Sequence, residues 1–217
     1  MKRTLWVFIV LCLMVLAGCN QAQTGGSEVD SEPSAKGELM ALAQQYFSID
    51  GETLSRTDDE AIIEFGKSFV NLYTGAVAEQ EKVSFKNYIS NKNLLKFTDK
   101  MLELTQKEYF LGRNFINYGF DNEFYQANLR HVEDNLCYLE LRYQYQGSGS
   151  ACELLITAEN KSLKLVDLYF GVKDGVDTFA TGHPAERETN NPNLWDNEEW
   201  VKGVFDKLEE FEEGLNS

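Results

Sequence analysis

The amino-acid sequence predicts an α+β domain carried behind a leader and a tether. Three observations say so. Apolar residues recur at helical spacing between Glu38 and Phe110, alternate with period two from about Asn117 to Phe170, and return to helical spacing from Leu194 to Leu215. Helices followed by a run of short-turned strands predict N-terminal helices packed on a curved antiparallel meander of four or more strands, with a C-terminal amphipathic helix added.

The chain opens with Lys2 and Arg3, an apolar run from Leu5 to Leu16, and the small residues Ala17 and Gly18 before Cys19. Charge, length and small residues are those of a secretory signal. A spanning helix needs roughly 20 apolar residues, and this run is shorter. Leu16-Ala17-Gly18-Cys19 resembles the lipobox of bacterial lipoproteins. The resemblance implies that the signal is residues 1–18 and that the Cys19 thiol carries a diacylglycerol. It also implies a protein held on the cell membrane or outer membrane through that lipid, facing away from the cytoplasm. Residues 19–37 hold one large apolar residue, Val29, and read as a flexible tether. Residues 38–217 are left as one domain, about the size an ordinary single core supports.

Within that domain, Leu39, Leu42, Ala43, Tyr46 and Phe47 mark a short helix over Glu38–Phe47. Thr57-Asp58-Asp59-Glu60 has the form of a capping box. It opens a helix whose stripe is Ala61, Ile62, Phe65, Phe69, Leu72 and Tyr73, with Gly75 as a left-handed end. Phe85–Ile89 suits a short helix or an edge strand. Ser90 is the expected cap of a third helix through Phe110, with Leu94, Leu95, Thr98, Met101, Leu102, Thr105 and Tyr109 on one face.

Four strands are expected at Phe124–Val132, Leu136–Tyr145, Ala151–Ala158 and Leu163–Phe170. Gly147-Ser148 suits a two-residue type II′ turn. Glu133-Asp134-Asn135 and Asn160-Lys161-Ser162 suit three-residue loops. Pairing Gln146 with Gly149 sets Tyr143 opposite Cys152, Leu141 opposite Leu154, Leu139 opposite Ile156 and Cys137 opposite Ala158. Tyr125, Ala127, Leu129 and His131 join that apolar face from the first strand, and Val166, Leu168 and Phe170 from the fourth. In this register Cys137 and Cys152 stand about 20 Å apart at ~3.3 Å per residue, beyond the ~7 Å that a disulfide spans. Two free buried thiols follow. After the strands, Asp177–Asn193 reads as a loop. The helix beginning at Leu194 or Trp195 is expected to dock through Trp200, Val204, Phe205, Leu208 and Phe211.

The Thr57–Gly75 helix, the Ser90–Phe110 helix and the four strands resemble in layout the NTF2-like superfamily of cystatin-like folds. There a bent sheet wraps a long helix around a conical cavity; two departures are that the strand the family inserts between helices has only Val83–Tyr88 to serve for it, and that the Leu194–Leu215 helix is extra. The resemblance implies a pocket, lined here by Tyr73, Tyr125, His131 and Tyr143. That superfamily holds enzymes and binding modules alike, so the site must decide function.

Little in the sequence points to a reaction centre. His131 falls opposite Cys137, and a Cys–His pair can make a nucleophile. They flank a turn with no third group evident, so packing is the simpler account. Two histidines and two distant thiols give no zinc spacing. Asp50, Asp58, Asp59 and Glu60 do not follow a calcium-loop pattern. No phosphate loop or nucleophile elbow is present. No metal or cofactor is therefore expected. Loss of residues 1–18 removes Lys2 and Arg3 and takes the formal charge from −15 to −17, which excludes nucleic acid as a partner. Trp195, one position off the last helix's stripe, is the expected surface contact. The sequence thus predicts a lipid-anchored, non-enzymatic binding or interaction domain for a small molecule or an envelope protein. The alternatives are a hydrolase or dehydratase with an NTF2-like cavity, and a subunit of a cell-envelope assembly.

Overall fold

A computed structural model describes residues 34–183, 187 and 191–217. The signal, Cys19 and the tether as far as residue 33 lie outside the described residues. Helix α1 spans Ala35–Gln44, and the Ser34 hydroxyl accepts the Gly37 N–H at 3.2 Å. Ala35–Gly37, expected in the tether, are therefore the first turn of the domain. Ser is a strong N-cap because its oxygen satisfies an otherwise unpaired helical N–H.

Helix α2, Asp59–Glu79, follows a 3-10 turn at Arg56–Asp58. Its entry is fixed by a box two residues earlier than Thr57–Glu60. The Ser55 N–H and hydroxyl both donate to Asp58 Oδ2, at 2.8 and 2.7 Å. Gly75 does not end the helix. The left-handed residue is Gln80, at φ 55°. Gly75 is buried inside α2 against the Phe120 ring, where a Cβ would lie 2.5 Å from ring carbons. Helix α3, Lys92–Phe110, is capped by Asn91 rather than Ser90: Asn91 Oδ1 accepts the N–H groups of Asn93 and Leu94 at 2.9 and 3.1 Å. Phe85–Ile89 is a turn ending in a single bridge from Ile89 to Leu165.

The sheet is an antiparallel meander, β1-β2-β3-β4, built from Glu123–Glu133, Leu136–Tyr145, Ser148–Glu159 and Ser162–Tyr169. The turns differ from expectation. Gln146 and Gly147 have φ 46° and 82°, and Asn160 and Lys161 have 50° and 62°. Positive φ at both central positions makes a type I′ turn, whose twist matches that of the flanking strands. Tyr145 therefore pairs with Ser148, and Glu159 with Ser162. The β2–β3 register is displaced by two residues, so Leu141 faces Cys152, Tyr143 faces Ser150 and Cys137 faces Ile156. A two-residue shift preserves the faces, because side chains alternate with period two. Cys152 now sits opposite a residue four places from Cys137, about 13 Å away. Both thiols are free and buried.

Two bulges re-aim side chains. One between Phe124 and Gln126 sets Phe124 opposite Tyr143 and turns Tyr125 outward, to 56% exposure. The other, opposite Leu155 and Ile156, puts Leu163 and Leu165 into the main core with Leu168 and Phe170. Val166 leaves that face and joins Leu136, Tyr138 and Leu155 in a second apolar cluster. The free edge of β4 is covered, since the Leu163 N–H bonds Phe47 O and the Leu165 N–H bonds Tyr88 O at 3.0 and 2.8 Å. Covered edges do not template pairing with other chains.

Helix α2 lies on the inner face, so close at Gly66 that a Cβ would meet Leu139 at 2.5 Å and Leu154 at 3.1 Å. Part of the stretch read as a loop is a short helix, α4, Val176–Thr181. A 3-10 turn, Leu194–Asp196, then leads to α5, Glu198–Asn216, capped by Asn197. Helix α5 docks as expected, with Val201, Val204, Leu208 and Leu215 buried and Trp200, Phe205 and Phe211 half-buried.

Candidate functional site

The inner face of the sheet, α2, α3 and α4 enclose a cavity of about 20 Å³, room for one water-sized group. Helix α2 contributes Tyr73 from its apolar stripe, the segment after α3 contributes Tyr118, and β2 contributes Tyr143. The Tyr73 hydroxyl lies 2.9 Å from Thr105 Oγ1, and its ring stacks on Phe170 with centroids 4.3 Å apart. The Tyr118 hydroxyl accepts from Asn114 Nδ2 at 2.9 Å, and the same amide reaches Glu108 Oε2 at 3.3 Å. Burial raises all three phenols well above their ordinary range, so they stay neutral.

Asp177 completes the wall from the first turn of α4. It is 3% exposed, and its oxygens accept the Phe170 and Thr178 N–H groups at 2.6 and 2.8 Å. Burial pushes its carboxyl up, against those two N–H bonds and the charge of Arg187. Glu108 is raised as well, by burial, with Asn114 and Arg113 opposing. The half-buried Glu108, Asn114, Ser150 and Val172 form the mouth. Ser150 and Val172 continue into an open groove with Tyr125, Arg142 and Lys173.

Of the four residues expected to line a pocket, Tyr73 and Tyr143 do so together. Tyr125 does not, because the bulge expels it to the outer groove. His131 does not either. It sits at the β1–β2 turn, opposite Cys137 as expected. The cavity's carboxylates were missed. Asp177 was hidden in an apparent loop, although Val176 and Ala180 already have helical spacing there.

A third group does stand beside the Cys–His pair. His131 Nδ1 lies 3.3 Å from Cys137 Sγ, and Nε2 lies 2.8 Å from Asp59 Oδ1 on α2. Such a chain can activate a thiol. Here Cys137 is fully buried, and burial with the nearby charges of Asp59 and Asp58 pushes its thiol to about 11. Burial and the raised thiol both disfavour a reactive thiolate.

Trp195 is not a surface contact. It is fully buried against Phe97, and its indole N–H donates to Asp167 Oδ1 at 2.8 Å. Asp167 and Arg187 form a buried ion pair, with Arg187 also donating to Thr181 Oγ1 at 3.0 Å. The helical period used to place Trp195 does not reach it, because it lies in the 3-10 turn before α5.

Among the described residues no group of three or more His, Cys, Asp or Glu is arranged to hold a metal, and no helix is long and apolar enough to cross a membrane. The fold is of the α+β class. Compared with models of protein families, with curated proteins and with solved structures, the chain finds no match.

Proposed function

We propose that this is a lipid-anchored, extracytoplasmic binding module, non-enzymatic, whose ligand enters the Tyr73–Tyr118–Tyr143–Asp177 cavity. The convergence of three neutral phenols and a buried carboxylate on one water-sized space supports binding most strongly. Recognition sites combine an apolar wall with a few fixed polar groups in this way. The helices-on-meander layout, with a cavity between α2, α3 and the sheet, supports the NTF2-like resemblance. The Leu16–Cys19 lipobox supports the anchor. One observation favours an enzyme instead, the Asp59–His131–Cys137 chain, and the burial of its thiol weighs against it.

Ligand-observed NMR on the full chain tests the binding reading. Small amines, alcohols, sugars and carboxylates are screened against wild type and against Ser150→Trp, which fills the mouth. At least one class is expected to give saturable binding that Ser150→Trp abolishes while keeping the wild-type denaturation midpoint. No saturable binder in any class would overturn the reading.

A further inference from the structure

Resting on that binding reading, we infer that the cavity takes a primary ammonium group, the charged end of a small alkylamine. Three features of the lining select it. The first is charge. Asp177 and Glu108 line the space, and no Lys, Arg or His does. The nearest cations are engaged or outside: Arg187 is paired with Asp167, and Arg113 donates to Gly214 O. An anion would meet two acidic side chains and no basic one in the lining.

The second feature is the aromatic wall. Tyr73, Tyr118, Tyr143 and Phe170 line the space. Rings attract a desolvated cation through their quadrupole, and phenol and carboxylate oxygens accept the three N–H bonds that an ammonium offers. The third feature is size. About 20 Å³ admits an ammonium head, which is close to water in size, and excludes a guanidinium or a quaternary amine. Among the described residues no group of three or more His, Cys, Asp or Glu is arranged to hold a metal. The alkyl tail leaves past Ser150 and Val172 into the outer groove.

The burial of Asp177 gains a purpose on this account. Its carboxyl is raised by desolvation, and an ammonium beside it would oppose that shift, since an opposite charge at ~4–6 Å favours ionisation. Asp177 also holds the Phe170 and Thr178 N–H groups, so Asp177→Asn endangers the fold. Glu108→Gln, at the half-buried mouth, changes the charge with less risk.

Calorimetric titration of the full chain with n-butylamine, n-butanol and butyrate tests the inference. Butylamine is expected to bind saturably and at least tenfold more tightly than butanol, with butyrate not binding. Glu108→Gln is expected to weaken butylamine by roughly tenfold and to leave butanol unchanged. Butanol binding as tightly as butylamine would overturn the ammonium inference and leave the binding reading standing. No binding by butylamine, with a structural water as the only occupant, would overturn it too, and the wider screen would then decide the binding reading separately. Butylamine binding that Glu108→Gln leaves unchanged would also count against it.

Discussion

Asp59 Oδ1 lies 2.8 Å from His131 Nε2 and so ties the start of α2 to the β1–β2 hairpin. The His side chain is 25% exposed and the Asp side chain 42%, so solvent screens the contact. His131→Ala is expected to cost only about 1 kcal/mol, read as a small fall in the urea midpoint. The same arrangement predicts inert thiols. Native Cys137 and Cys152 should resist a thiol reagent at neutral pH, and denaturation without reductant of a chain whose Cys19 is acylated, as proposed, should expose two. Rapid alkylation of native Cys137 would instead revive the enzyme reading.

The Asp167–Arg187 pair is buried to 3% and 1% side-chain exposure. Removing one partner leaves an uncompensated charge in the core, so Arg187→Met is expected to cost roughly 3–5 kcal/mol. Trp195→Phe keeps most of the apolar bulk and removes one donor to Asp167, which predicts a smaller loss of about 1–3 kcal/mol. Chemical denaturation ranks the two. Equal, negligible effects would mean that Arg187 does not belong to the core.

Gly66→Ala sets two effects against each other. Alanine favours a helix interior over glycine by about 1 kcal/mol. The added Cβ would stand 2.5 Å from a Leu139 methyl and 3.1 Å from a Leu154 methyl, both fully buried. Overpacking of that kind costs about 1–3 kcal/mol. Net destabilisation is expected, and a gain in stability would show that α2 rides higher on the sheet.

Helix α5 offers a graded test. Leu208 is 1% exposed while Phe205 is half-buried. Leu208→Ala is therefore expected to cost ~2–5 kcal/mol, and Phe205→Ala less, despite its larger side chain. Denaturation midpoints unchanged in both variants would make α5 a free partner-binding element.

What the sequence carried was periodicity. Four strands, their order and the inner face of β2 and β3 were legible, because apolar residues alternate there. The two-residue register error was not detectable from faces, since period-two patterns repeat after two residues. Only the positive φ of Gln146, Asn160 and Lys161 distinguishes the turns, and none of these residues is a glycine that would advertise it. The bulge at Phe124–Gln126 broke the pattern locally and moved Tyr125 outside. Of the site, Tyr73 and Tyr143 were legible as inward-facing aromatics. Asp177, Tyr118 and Glu108 were not, because they come from a six-residue helix, an irregular segment and the end of α3, brought together only by tertiary packing.

The central claim is that the cavity between α2, α3, α4 and the sheet is the binding site. The most direct measurement is protein-observed NMR on the full chain with ring-labelled tyrosine, titrated with the tightest binder among the screened amines, alcohols, sugars and carboxylates. The account predicts that Tyr73, Tyr118 and Tyr143 shift together along one saturable curve while Tyr46 and Tyr138 stay still. Shifts confined to exposed tyrosines such as Tyr46, or no saturable shift at the three cavity residues, would contradict it.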